Sequence, residues 1–413
     1  RTCGVGEECE GGVWVLATEK LNRILHIDAE NLRAEVEAGV AVDALNAALE
    51  PYGLVWPMEM GSTLSATVGA CIANGSAGAN AVCYGTAAHL CESASGYWAN
   101  GLPSGNFTGP TWQAPDVTRT AIDSAAPDPA QGLIGTQGVL GVITRAQLRL
   151  HRLPTQREAA LLPVQNMPEA MQVLAAARTA FGDAVEEFEF ISRTALRLVQ
   201  EAKGDAFRWP YPEAVDAPFH MLLQVKSMQS ADEDDLAARL YQFLAETLAL
   251  PEAHLGYAPI KALKAIRHGI TEASNHAMKH LGGGRLAFDT ATPIAQFGDY
   301  LQALGQSLAA DYPEVLLVAF GHAGVGGAHL HLLGSAAAPV AAHADALITR
   351  VFDVTKAYGG TFSAEHGVGS KWGAAFAQRA DPAVVAALVA AKREHDPALI
   401  LNPRCFGLNQ LAA

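Results

Sequence analysis

The sequence predicts an α+β protein in two parts, from three observations. From Val13 to about Leu150, short alternating runs such as "LRAEVEAGV" and "GLIGTQGVLGVITRAQLRL" are punctuated by glycine, as half-buried strands joined by tight turns would be. A polar connector, "HRLPTQRE", follows. Beyond it, strand-length apolar runs alternate with runs of helical period, the pattern of an antiparallel sheet covered by helices. The expected division is 1–153, 154–395 and a short return to the first part over 396–413.

Each element has its own signal. "VDALNAALEPYG" spaces Val42, Leu45 and Leu49 along one helical face and stops at Pro51 and Gly53. The stretch from Leu102 to Gln131 is rich in Pro, Gly, Ser, Thr and Asp and reads as a surface loop. In the second part "EAALLPV", "EEFEFIS" and "FHMLLQVKS" read as strands, and "MPEAMQVLAAARTAF" and "DEDDLAARLYQFLAETLAL" as helices. "ALKAIRHGITEASNHAMK" reads as one amphipathic helix with Arg267 and Thr271 on the same face. "DPAVVAALVAAKREHDPALILNPRCF" reads as an amphipathic helix ended by Asp396-Pro397, then an extended tail.

Composition excludes several function classes. Half of the 413 residues are hydrophobic and 17% are charged, the make-up of a folded enzyme-like chain. The net charge of −14 and the absence of a basic stripe argue against nucleic acid as a partner. Six scattered cysteines without CxxC spacing predict reduced thiols in a cytosol-like compartment. No window approaches 18 uninterrupted apolar residues, so no membrane span is expected. The opening "RTCGVGEECE" resembles neither a signal nor a transit peptide, and a chain that starts at Arg is expected to be cut.

Two stretches carry chemistry. "PMEMGSTLSATVGACIANGSAGANAVCYGT", residues 57–86, is dense in small residues that let backbone N–H groups approach a ligand. "HAGVGGAHLH" places His322, His329 and His331 around a turn at Gly326-Gly327, and alternation puts His329 and His331 on one face. A lone histidine in an apolar strand is more often a hydrogen-bonded core group. Three together, with Glu365 and His366 in a downstream glycine-bounded loop, point towards a divalent first-row ion.

The blocks "GSTLSATVGACIANGSAG", "CYGT", "LIGTQGVLGVITRAQLRL", "HAGVGGAHLH", "GGTFSAEHGVGSK" and "DPALILNP" occur in that order. In this order the chain resembles the FAD-linked oxidases of the vanillyl-alcohol-oxidase fold, most of all the branch with D-2-hydroxyglutarate and D-lactate dehydrogenases and the glycolate oxidase flavoprotein subunit. The resemblance implies an FAD-binding domain of that type plus a cap domain with an antiparallel sheet covered by helices. It also implies FAD contacts near Pro57, Gly61, Ser62, Thr67, Gly69, Asn74, Gly78, Tyr84 and Gly85. Gly135, Gly138, Gly141 and Val142 would lie along the adenine and ribose, and Asn402 would return to the flavin. Relatives carry a further N-terminal subdomain ending in an RGGGT-type phosphate loop, whereas this sequence opens with "RTCGVGEECEGGVWVLATEKLNRI", so that subdomain is expected to be missing.

For the second part, the resemblance implies His322, His329 and Glu365 as ligands of a divalent metal (Zn, Mn or Fe) and His366 as the base, with His331 nearby. It assigns Arg267, with Thr271, to the substrate carboxylate. Val325 and Gly327 stand where the family motif has Asp and Asn, and Ala287 where a lysine is common, with Arg285 as its substitute. The implied activity is oxidation of a D-2-hydroxy acid, with electrons passed to a quinone, an electron-transfer flavoprotein or a cytochrome. The expected setting is a bacterial cytoplasm, peripheral to the membrane, or a mitochondrion; a homodimer is the expected oligomer. Two alternatives stay open at this point: a non-catalytic flavoprotein-like subunit of a larger glycolate-type oxidase, and a metal-dependent hydrolase.

Overall fold

The computed structural model describes residues 14–61, 64–104, 129–211 and 215–412. Ser62, Cys3, Cys9, the opening segment "RTCGVGEECE" and residues 105–128 of the expected loop lie outside the described residues. By packing, the chain divides into two compact units. The first comprises segments up to Ala77, Gly85–Leu153 and from Glu365 onward; the second comprises Gly78–Tyr84 and Pro154–Ala364. The chain thus leaves the second unit at Ala364 rather than at residue 395, and a seven-residue piece of the glycine-rich block belongs to it.

In the first unit, β1 (Ile24–Asp28), β2 (Arg33–Glu37), β4 (Cys91–Trp98), β5 (Pro103–Ser104) and β6 (Gly141–Arg149) form an antiparallel sheet in the order β1-β2-β6-β4-β5. Helix α1 (Val42–Leu49) buries Val42, Leu45 and Leu49, the three positions that the spacing puts on one face. It runs into a 3-10 turn at Glu50–Tyr52 and a left-handed Gly53. Helix α2 (Val68–Asn74) is N-capped by Thr67 and stopped by a left-handed Gly75. The connector is partly strand: β3 (Leu54–Val55) pairs with β7 (His151–Arg152) before Pro154 opens the second unit.

The second unit is a six-stranded sheet between two helical layers. Its strands are β8 (Gln156–Val164), β9 (Val185–Ser192), β10 (Phe219–Ser227), β11 (Gly282–Ala291), β12 (Leu316–Gly321) and β13 (Gly327–Ser335), in the order β11-β13-β12-β9-β10-β8, each neighbouring pair antiparallel. Phe190 and Phe288 on one face meet Phe297 of α9 (Ile294–Asp311) and Phe352 of α10 (Ala344–Ala357). On the other face Leu161, Ile191, Leu222, Phe320 and Leu333 pack under α5 (Arg193–Lys203), α7 (Ile260–His268) and α8 (Ile270–Leu281). With both faces covered, all eight residues of β9 are buried, including three glutamates.

Four expectations need correction. The run around Arg267 is two helices, not one: it breaks between His268 and Ile270 at Gly269, a residue with low helix propensity. Arg267 is consequently buried at the end of α7 while Thr271 is exposed on α8, and the expected shared face does not form. The long helix expected over "DEDDLAARLYQFLAETLAL" is α-helical only from Leu236 to Gln242 and continues as a π-turn, Phe243–Thr247. After the helix Pro382–His395, the expected extended tail is a 3-10 turn at Cys405–Gly407 and a short helix, Leu408–Leu411. That Pro382–His395 helix buries only Lys392, so it is not amphipathic in the usual sense.

Candidate functional site

The site of the second unit is built on the α7/α8 side of its sheet. Antiparallel register sets Asp289 opposite His329, His329 opposite Phe320, and Phe320 opposite Ile191, so these four share one face. Ala287, His331 and Val318 form the next row. The β12–β13 hairpin turns through Ala323–Val325 and a left-handed Gly326, where a Cβ would lie 2.1 Å from the Thr292 carbonyl oxygen. This turn folds His322 back so that its ring lies edge-on to His329, centroids 5.2 Å apart. Phe320 is the floor: His329 and His331 sit 5.3 and 5.2 Å from its centroid, and the Arg267 guanidinium lies over it at 4.8 Å.

Glu189, two residues before Ile191 on the same face, joins these groups. One carboxylate oxygen accepts from Arg267 Nε at 2.7 Å and the other lies 2.6 Å from His322 Nδ1. Burial would push the carboxyl up, but His322, Arg267 and His329 outweigh it and hold it down at about 2. Only Nε of Arg267 is engaged; its two terminal nitrogens make no hydrogen bond among the described residues. A parallel rung lies one step along strand and helix, where Lys264 Nζ is 2.5 Å from Glu187, which also accepts from Gln224. At the far side Asp289 stands 3.6 Å from His329 Nδ1 and accepts the backbone N–H of Ala364 at 3.1 Å.

The seven-residue piece of the glycine-rich block is in a different network. The Tyr84 hydroxyl donates to Glu186, which also receives Arg157 and Gln224, and Lys226 Nζ reaches Tyr84 at 2.7 Å. Gly78, at its start, is buried there too. Burial pushes the Tyr84 hydroxyl far above its ordinary value, so it stays protonated.

In the first unit, Gln137, which belongs to no recognisable motif, is a junction. Its N–H bonds to Ala73, its backbone oxygen accepts from Asn402 Nδ2 at 2.8 Å, and its side-chain oxygen accepts from Gly369 N at 2.9 Å and from Cys405 Sγ. A Cβ on Gly367, at φ +83, would sit 2.9 Å from Gln137 Cδ. The blocks around Asn74, Gly135–Gly138, Gly367–Gly369 and Asn402 therefore meet at one residue. Gly69 and Gly141 have packing reasons to be glycine: a Cβ would press on Ala38 at 2.6 Å and on the Tyr97 oxygen at 2.4 Å. Pro57 is buried, Thr67 caps α2, and Gly61 is exposed at a turn. Gly85 is left-handed, with His89 against it, and Val142 lies in β6. Glu365 and His366 open the last segment, with His366 Nε2 3.4 Å from Glu365 Oε1. Lys392 is buried with its ammonium held by Asp396, Val139 and Leu401, which fixes the turn leading to Asn402.

Two family models match the chain: an FAD binding domain over residues 2–102, and the C-terminal domain of FAD linked oxidases over residues 153–405. The chain is 26% identical to a D-2-hydroxyglutarate dehydrogenase of Stutzerimonas stutzeri (strain A1501), covering 95% of this chain and 81% of that protein. It is 26% identical to the mitochondrial D-2-hydroxyglutarate dehydrogenase of Bos taurus over 94% and 68% of the two chains. It is 25% identical to glycolate oxidase subunit GlcD of Bacillus subtilis (strain 168) over 97% and 80%. Among solved structures, an alkyldihydroxyacetonephosphate synthase matches with a TM-score of 0.63 at 15% identity, over 93% of this chain and 66% of that one. The chain thus spans just under two thirds of that protein's length, and at this identity the likeness establishes the fold alone. No helix among the described residues is long and apolar enough to cross a membrane.

Proposed function

Since the chain belongs to the FAD-linked oxidase family, with an FAD-binding domain of the vanillyl-alcohol-oxidase type, we propose that it is a dehydrogenase that oxidises a D-2-hydroxy acid to the 2-oxo acid. The observation that carries this reading is the Glu189 carboxylate, which holds Arg267 and His322 side by side on a buried face. Arg267 spends Nε on Glu189 and keeps its terminal nitrogens for the substrate carboxylate, the fork that planar recognition uses.

His322, His329 and Glu365 are the proposed ligands of a divalent ion. Two imidazoles and a carboxylate suit zinc, manganese or iron. Glu189 on Nδ1 of His322 leaves Nε2 to face a ligand, the way a carboxylate orients a ligating histidine. Asp289 beside His329 is placed to do the same for the second imidazole. Bound there, the ion supplies Lewis acidity to the substrate hydroxyl.

His366 is the proposed base for the hydroxyl proton, work that contributes roughly 10²- to 10⁴-fold in rate. Bound FAD supplies the acceptor for the hydride leaving the α-carbon. Thr271, exposed on α8, is not part of this assignment. The test is anaerobic mixing of the FAD-loaded chain with a panel of D- and L-2-hydroxy acids. Bleaching of the flavin bands by D-acids supports the reading; a flavin that stays oxidised with every member of the panel refutes it.

A further inference from the structure

Helix α8 carries two histidines that no part of the proposed reaction uses. Its inner side is fixed: Ile270 and Ala273 belong to the buried cluster over the sheet, and Ala277, Met278 and Leu281 pack against that cluster. The side turned to water carries His276 and His280, four positions apart and therefore one turn above the other. Both are exposed. Their rings stand edge to face with centroids 4.3 Å apart, and the two Nε2 atoms are 3.1 Å from each other.

That separation is the one a shared ion needs. With metal–nitrogen bonds of about 2.0–2.1 Å, two nitrogens 3.1 Å apart would hold one ion at an N–metal–N angle of about 100°, between the tetrahedral angle and a right angle. The other use of the contact is a hydrogen bond from one ring to its neighbour, which in water exchanges with solvent and contributes little. Because α8 is anchored through its inner side, the two rings have little freedom left to lose when an ion bridges them. Glu272, one turn before His276, and Lys279, next to His280, are both exposed on the same helix, so these neighbours bring no net charge to draw in a hard cation. Two imidazole donors without a carboxylate favour nickel, copper and zinc over manganese, magnesium and calcium.

We propose that His276 and His280 form a surface chelate for a late first-row divalent ion, with water completing its coordination. The site shares no residue with His322, His329 and Glu365, and it does not rest on the 2-hydroxy-acid reading. A bound ion ties two successive turns of α8 together, on the helix that packs against β11 and β13.

Equilibrium dialysis of the full, tag-free, FAD-loaded chain against nickel tests this. The wild type is expected to bind one nickel ion more than His276→Gln or His280→Gln. Either change leaves a single imidazole, and loss of the tethered second donor should weaken binding at least about tenfold. His343→Gln, which removes an exposed histidine beside Tyr312, should leave the count unchanged. Both rings of the pair are exposed, so the variants should melt at the wild-type temperature without metal. Nickel should also slow amide hydrogen exchange along α8 in the wild type and not in His280→Gln. The same nickel count in His280→Gln, with affinity within about threefold of wild type, overturns the proposal, as does α8 exchange that nickel leaves unchanged in the wild type. His322→Gln separates the two metal assignments. Nickel lost with His322→Gln and kept with His280→Gln would sink the α8 site; the reverse result would establish it and leave the other without support.

Discussion

Glu189→Gln is the substitution that tests most of the site at once. It keeps the shape of the side chain and removes one charge from a position that is 1% exposed. A carboxyl held at about 2 instead of its ordinary value is stabilised in the folded chain by about 3 kcal/mol, at about 1.4 kcal/mol per unit. Because the folded value is depressed, that stability is present above pH 4.5 and is lost as pH falls through about 2. Breaking a buried pair from one side costs about 3–5 kcal/mol, which agrees in size. The amide also changes the chemistry at His322. Its oxygen can satisfy only one donor, and the Arg267 Nε–H cannot give up its proton, so the amide N–H is left facing His322 Nδ1. The ring then has to accept at Nδ1 and carry its proton on Nε2, the nitrogen assigned to the metal. Metal affinity should fall about 10- to 100-fold, measured by equilibrium binding of manganese or zinc to the full chain, with thermal unfolding followed in parallel. A variant whose metal affinity stays within threefold of wild type would show that Glu189 does not set the His322 tautomer. An unchanged unfolding temperature would remove the charge argument.

His366→Asn should keep bound flavin and metal while slowing substrate-driven flavin reduction by about 10²- to 10⁴-fold in a single turnover; a rate within a few-fold of wild type would hand the proton to another residue, His331 first. His220, buried with Nδ1 2.7 Å from the Tyr211 hydroxyl, is held neutral by burial with its value lowered to about 4. The unfolded chain binds that proton first as pH falls, so between about 6.5 and 4 the second unit should lose about 3 kcal/mol of stability; chemical unfolding at pH 7 and 4.5 checks this, and His220→Gln, which does not titrate, should flatten the difference.

The parts legible in the sequence are those governed by local period and turn chemistry. Met167–Phe181 and Phe219–Ser227 begin and end where the apolar spacing puts them, and the β12–β13 hairpin brings His322, His329 and His331 to one place because Gly326-Gly327 and alternation require it. The family was readable from the order of six short blocks. The three glutamates of β9 were not readable as site residues, since "VEEFEFIS" has the look of a strand with acids turned to water. The burial of Glu187 and Glu189 depends on Lys264 and Arg267 from a helix more than seventy positions later, and that of Glu186 on Arg157 of β8. The break at Gly269 was hidden by apolar spacing that continues through it. Gln137 carries no motif; it matters for how many loops converge on it.

The junction at Gln137 also orders events in time. Its bond to Gly369 spans 232 positions, and its bond to Asn402 spans 265. During synthesis, the ribosome finishes Pro154–Ala364 before the segment that completes the first unit has emerged. The sheet of the second unit can close on nearly contiguous chain, whereas the Gln137 loop stays without these partners until Gly367–Asn402 arrives. The first unit is thus begun before the second and completed after it.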